Sequence, residues 1–235
     1  MSAEVKLPGN ELAHRPLHVI FITDCSGSMS ADGKIQTLNT AIKEAIPHMQ
    51  DAAKTNPTAQ VFVRAIKFSD GASWHITSTS VDQFQWKDLD ADGRTDMGKA
   101  LEMVSDELTI PPMPDRALPP VLILVSDGQP TDNFAGGLDK LENTQWGKKA
   151  VRISIAIGKD ADEVVLKRFN GEKSEIPVLK ANNPDQLVKY IKWASTVPVK
   201  AVANSKPQNA NSVVTLQDYA AKAPVDNGTS DNGIW

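Results

Sequence analysis

The sequence predicts an α/β domain built on a mostly parallel sheet, and three observations carry that prediction. Short apolar runs rich in Val and Ile recur along the chain, and between them lie segments whose apolar residues fall three and four apart. Strands that alternate with helices imply parallel βαβ units wrapped on both sides. Two of the runs are apolar almost throughout, as strands covered on both faces are.

Leu17 to Thr23, "LHVIFIT", is the first of these near-continuous runs, and Val61 to Phe68, "VFVRAIKF", follows it. Between them, Lys34 to Lys54 sets Ile35, Leu38, Ile42, Ala45, Ile46 and Met49 on one stripe, the mark of a helix packed on a sheet. Pro47 lies inside that stretch and is expected to kink or divide it, since proline lacks the N–H of the helical ladder. Ser73 to Ser80, "SWHITSTS", alternates with polar residues and reads as an edge strand. Met97 to Leu108 presents Leu101, Val104 and Leu108 as a second helical face. Val121 to Val125, "VLILV", and Val151 to Ile157, "VRISIAI", are the remaining strands; Phe134 to Lys149 and Pro184 to Ala194 are the remaining helices. "KDADEVVLKRF" reads as charged helix surface. From Thr196 the chain turns to Ala, Asn, Ser, Pro and Gly, so the organisation expected is an extension over 1–14, one domain over 15–195 and a flexible tail over 196–235.

Composition narrows the function classes. Lys plus Arg number 25 against 29 Asp plus Glu, a net charge of −4, which argues against nucleic acid or an anionic membrane as the main partner. One cysteine, Cys25, permits no internal disulfide and no cysteine cluster for zinc. The first residues lack a basic segment followed by an apolar one, and no apolar run approaches the roughly 20 residues of a membrane span, so a cytoplasmic protein is expected. A sequon at Asn227 would then meet no glycosylation machinery.

Chemistry concentrates in three loops. After the first strand, "DCSGSM" sets Asp24, Ser26 and Ser28 one residue apart, so that alternation turns them the same way, with Gly27 allowing a tight bend. Taken alone, that loop fits a cation, an anion-binding turn, a nucleophile or a helix cap. Ahead of the middle helix, "GRTDMGKAL" offers the hydroxyl of Thr95 and Asp96 as a cap; after the third strong strand, "SDGQPTD" offers Asp127 with Gly128 turning the chain. In an open parallel sheet such loops gather at the carboxyl ends of the strands. Two carboxylates and three hydroxyls are hard donors that suit octahedral Mg²⁺ or Mn²⁺ and do not suit zinc or copper. Two carboxylates only neutralise a divalent ion, so the metal stays electrophilic toward an acidic side chain from outside.

"DCSGSM", "TDMGKAL" and "SDGQPTD", in this order, resemble the three motif loops of von Willebrand factor A-type domains with a metal-ion-dependent adhesion site, over about residues 15 to 195. The resemblance implies a Rossmann-like three-layer α/β/α fold whose mostly parallel sheet carries one antiparallel edge strand. It implies Asp24, Ser26 and Ser28 as ligands from the first loop, Thr95 from the second and Asp127 from the third, with hydroxyls binding directly and aspartates often through water. It also implies a non-enzymatic protein-binding module whose Mg²⁺ (or Mn²⁺) ligates an acidic side chain of a partner. Among such domains the chain is most similar to bacterial TerY-type proteins, a resemblance that implies a tellurite-resistance or stress-response system and, as partner, a kinase, a PP2C-type phosphatase or a tellurite-system protein.

Other readings stand beside this one. A Mg²⁺-dependent phosphoryl-transfer enzyme also begins from a strand-end aspartate, but the second acid it needs two residues on is Ser26, and no phosphate-binding glycine loop is present. A scaffold with a decayed, metal-free site is the third. "DLDADGRTDMGK" matches the first half of a calcium loop through Asp88, Asp90, Asp92 and Gly93, yet its twelfth residue is Lys99 in place of Glu, so a solvated acidic turn is expected. Cys25 is expected to face the packing, and the scattered His14, His18, His48 and His75 have no metal-ligand spacing. Trp74, Trp86, Trp146 and Trp193 are expected in packing.

Overall fold

The computed structural model describes residues 14–56, 59–172, 174–204 and 223–224. Strand β1 (Arg15–Asp24) is buried from Leu17 onward because both of its faces are covered. Alternation divides it: Leu17, Val19 and Phe21 join one apolar cluster, Ile20 and Ile22 another. Helices α1 (Lys34–Lys54) and α5 (Pro184–Asn204) close the first cluster, with Leu38, Met49, Leu187 and Ile191 fully buried. Helices α2 (Met97–Glu107), α3 (Phe134–Asn143) and α4 (Glu163–Asn170) close the second. The result is the three-layer α/β/α fold expected.

The sheet contains β2 (Ala59–Ser69), β3 (Gly71–Ser80), β4 (Val121–Ser126), β5 (Val151–Ile157) and β6 (Leu179–Ala181) besides β1, in the order β3-β2-β1-β4-β5-β6. All neighbours are parallel except β2 and β3, which pair antiparallel at the edge. The chain moves outward from β1 to β2 on one side, then crosses back to β4 on the other. The crevice where such an order reverses lies outside the carboxyl ends of β1 and β4, and it is where these folds place their ligands. Thr23 pairs with Val125 across that junction, so Asp24 and Asp127 leave the sheet side by side.

Four expectations are corrected. Helix α1 is not divided at Pro47: it runs unbroken to Lys54, since the buried stripe from Ile35 to Ala52 holds the turns that the proline weakens. Helix α3 ends at Asn143 rather than Lys149. Thr144 takes an extended conformation, and a single 3-10 turn, Gly147–Lys149, follows. Helix α5 does not stop at Ala194; it passes Pro198 and reaches Asn204, so the boundary expected at 195 falls inside a helix. Its packing explains the difference, because Val199 is fully buried in the cluster that α1 shares. Ala223 is buried against the same cluster. The short strand β6 was not anticipated. The sequon at Asn227, the patch Val213 to Ala221 and the terminal Ile234 and Trp235 lie outside the described residues.

Candidate metal centre

Asp24 ends β1 fully buried, and both of its oxygens are engaged: Oδ1 accepts the Ser26 N–H at 2.8 Å, and Oδ2 accepts the hydroxyl of Ser126 at 2.5 Å. Burial pushes its carboxyl up to about 6, against the opposing pull of hydrogen bonds from Ser126 and Ser26, with the nearby Asp127 adding to the rise. A buried carboxylate that resists ionisation is short of positive charge. Beyond it the chain enters a 3-10 turn, Gly27–Gly33, in which the Ser28 hydroxyl lies 3.0 Å from that of Ser26 and donates to Asp127 Oδ1 at 2.7 Å. That bond joins the loops after β1 and β4. Asp127 is itself buried, and its Oδ2 accepts from Lys34 Nζ at 2.6 Å. Ser28 is exposed, so the group opens to solvent on its side.

Thr95 reaches the same place from the loop before α2. A methyl group added at Gly128 would stand 3.5 Å from Thr95 Oγ1 and 3.8 Å from Asp24 Oδ2, so any side chain there would intrude between the two. Glycine leaves that cradle open. All five predicted residues thus meet at one crevice mouth. Among the described residues no three of His, Cys, Asp and Glu gather for a metal, so capacity here depends on the hydroxyls. Two carboxylates and three hydroxyls with room between them fit a small hard cation.

The scaffold of Thr95 was only partly legible. Asp96 occupies the capping position of α2, but its side chain does not cap that helix. It accepts from Lys99, from the Gly71 N–H at 2.9 Å and from the Thr131 hydroxyl at 3.2 Å, and the Lys99 ammonium foremost holds its carboxyl below the usual range. The capping role passes to Asp132, which accepts from the N–H groups of Gly98 and Lys99, each at 2.8 Å. Thr131 accepts the Thr95 N–H at 3.1 Å, and its own N–H donates to the Thr95 carbonyl at 2.9 Å. Thr131 and Asp132 therefore staple the Asp127 loop to the Thr95 loop. "SDGQPTD" contains both residues, so the motif held a signal that reading Asp127 alone passed over. Ser126, Lys34 and Asn39 were also missed. Buried Asn39 of α1 bonds the Leu89 backbone and Trp86 Nε1, fastening the segment that leads to Thr95.

The remaining candidates fall as expected. Asp88, Asp90 and Asp92 are exposed, and Gly93, at φ +80, lends its carbonyl to the Gly27 N–H at 3.0 Å. Trp86 is buried against Phe21 and Phe84. Cys25 is buried in the first cluster, and burial pushes its thiol up to about 12, far from a reactive thiolate. A groove of about 600 Å³ beside Glu142, Arg152 and Arg168 offers no comparable convergence, as Arg152 there is paired with Glu142.

Fold and site together define a doubly wound α/β domain with a cluster of oxygen-bearing side chains at its topological switch point. Residues 18–193 match the von Willebrand factor type A domain, and the chain belongs to that family. No curated protein sequence matches it significantly. Among solved structures, an ArnB paralog from Sulfolobus acidocaldarius superposes with a TM-score of 0.56 at 23% identity, over 78% of this chain and 46% of that one. Proximal thread matrix protein 1 from the mussel byssus, with a zinc-occupied adhesion-site motif, gives 0.56 at 18%, over 80% and 47%. The PilB minor pilin from Streptococcus sanguinis gives 0.58 at 15%, over 84% and 64%. The chain thus spans less than two thirds of each of these proteins, and at such identities the likeness is one of fold. Domains of this family commonly act as metal-dependent protein-interaction modules. Among the described residues no helix is long and apolar enough to cross a membrane.

Proposed function

We propose that the protein is a non-enzymatic, cytoplasmic binding module in which Asp24, Ser26, Ser28, Thr95 and Asp127 hold Mg²⁺ or Mn²⁺, and that an acidic side chain of a partner completes the coordination. The observation that carries this reading is the Ser28–Asp127 hydrogen bond, which draws the two carboxylate loops together beside Thr95 with glycine at 128 keeping the space open. The bound ion would supply a Lewis-acidic centre. This chain's residues hold it, leave Ser28 open to solvent and exclude bulk from position 128. Hydroxyl and carboxylate donors favour Mg²⁺ and Mn²⁺. Zinc in the mussel protein makes Zn²⁺ a necessary third arm of any titration.

Phosphoryl transfer has less support, because the second acid that an aspartyl nucleophile needs two residues on is Ser26 here. A TerY-like role beside a kinase and a PP2C-type phosphatase in tellurite resistance rests on the loop motifs alone. The deciding experiment is calorimetric titration of wild type and Asp24→Ala with Mg²⁺, Mn²⁺ and Zn²⁺, followed by partner capture with and without EDTA. Metal heat confined to wild type and capture abolished by EDTA are expected. Equal heats in both proteins, or capture indifferent to chelator, would reject the reading; Asp24-dependent turnover of an aryl phosphate would replace it with the enzymatic one.

A further inference from the structure

A third charge stands at the site. Lys34 opens α1, where the positive end of the helix dipole disfavours a cation, so helical preference does not explain it. The chain reaches this position through two left-handed residues, Asp32 (φ 51) and Gly33 (φ 72). The Lys34 ammonium then meets Asp127 at 2.6 Å, with their side chains only 11% and 1% exposed. It takes Oδ2, while Oδ1 accepts from Ser28. Lysine and serine therefore hold opposite oxygens of one carboxylate, and the oxygen on the Ser28 side is not the one that lysine covers.

We propose that Lys34 sets the charge of the metal site and thereby its preference for an anionic ligand, an inference that rests on the metal-binding reading above. Asp24 and Asp127 contribute −2 and Lys34 +1, leaving −1; a divalent cation brings the loaded site to +1. Without Lys34 the loaded site is neutral. Lys34 thus loosens the hold on the metal and keeps the loaded centre attractive to a carboxylate over an amide of the same shape. It acts through Asp127 and through the local field, as a specificity-determining residue rather than as a ligand.

Full-length wild type, Lys34→Met and Lys34→Arg test this. Mn²⁺ calorimetry should show Lys34→Met binding about tenfold more tightly or better, and Lys34→Arg binding as wild type does, because a unit charge at this range is felt strongly where water is scarce. The Mn²⁺-loaded proteins are then mixed with end-blocked Gly/Ser peptides carrying a single Asp or a single Asn, and broadening of the peptide resonances is read. Wild type and Lys34→Arg should prefer Asp about tenfold, and Lys34→Met should lose that preference. Metal-free Lys34→Met should melt lower than Lys34→Arg and gain more from Mn²⁺. Equal or weaker Mn²⁺ binding by Lys34→Met, a retained Asp preference, or Lys34→Arg behaving like Lys34→Met would each overturn the charge role. If wild type and both variants bind no Mn²⁺, the metal-binding reading itself falls and the role of Lys34 falls with it.

Discussion

Strand β1 carries two buried polar clusters, one at each end, and they handle charge in opposite ways. Near its start, His18 Nδ1 accepts from Arg64 at 3.1 Å, and Arg64 forms an ion pair with Glu107 and lies 5.7 Å above the Trp74 ring. Burial foremost, then the adjacent guanidinium, brings the His18 imidazole down to about 4. That cluster is one cation, one anion and one neutral ring, and it sums to zero. At the far end, Asp24 and Asp127 are both buried, and the Lys34 ammonium pairs with Asp127. The sum there is −1, and Asp24 is forced upward as a result of its burial. A cluster that balances itself holds a fold together. One that keeps an excess of buried anion is prepared for a cation from outside, and this contrast is the physical basis for reading one cluster as scaffold and the other as site.

The contrast can be broken from either side. The largest effect is expected from Asp24→Asn, which should lower Mn²⁺ affinity at least about a hundredfold in calorimetry. Its metal-free melting temperature should not fall, because the amide oxygen still accepts the Ser26 N–H, the amide N–H donates to Ser126 Oγ with that bond reversed, and no charge is buried. Arg64→Met should do the reverse, lowering stability in urea denaturation by about 2 kcal/mol while Mn²⁺ affinity stays unchanged, since it strips the balanced cluster of its only cation. A fall in metal affinity there would dissolve the distinction.

Acid should separate the clusters next. The His18 imidazole lies at about 4 in the fold against an ordinary 6.5, so the unfolded chain protonates first. Its contribution is complete above 6.5 and is lost as pH falls toward 4. Asp24, at about 6 against 3.8, takes its proton first in the fold, so acid between these values favours the metal-free fold and opposes metal binding. The Mn²⁺-induced rise in melting temperature should therefore be at least about halved between pH ~7.5 and ~5, and His18→Phe should flatten the acid side of the metal-free curve. The smallest effect is expected from Thr131→Val: about 1 kcal/mol in stability and a few-fold loss of Mn²⁺ affinity, as the clamp on Thr95 loses its hydroxyl. Unchanged metal affinity would mean that Thr95 is held in place without it.

Where the sequence was legible, the signals were local. The five principal strands could be read within a residue or two at most ends because β-rich apolar runs report burial on the spot. The three loops could be read because Asp, Ser, Thr and Gly stand together where strands stop. Asp96 and α5 show the limit. An aspartate before a helix is a cap by local rules, yet Asp96 turns to Gly71 and Thr131, and Asp132, distant in sequence, caps α2. A turn to Ala, Asn, Ser, Pro and Gly from Thr196 marks an end by local rules, yet burial of Val199 carries α5 to Asn204. Lys34 read only as the start of an amphipathic stripe, since its partner lies far along the chain.

The amino-acid order by itself determined the kinds of element, their succession and the three oxygen-bearing loops, because periodicity and turn chemistry act over a few residues. Only the tertiary structure decided that β4 lies beside β1, that Ser28 touches Asp127, that Gly128 borders both Thr95 and Asp24, and that Lys34 pairs with Asp127. Each of those depends on groups brought together by burial of two apolar layers, a free energy that belongs to the whole chain and is written at no single position.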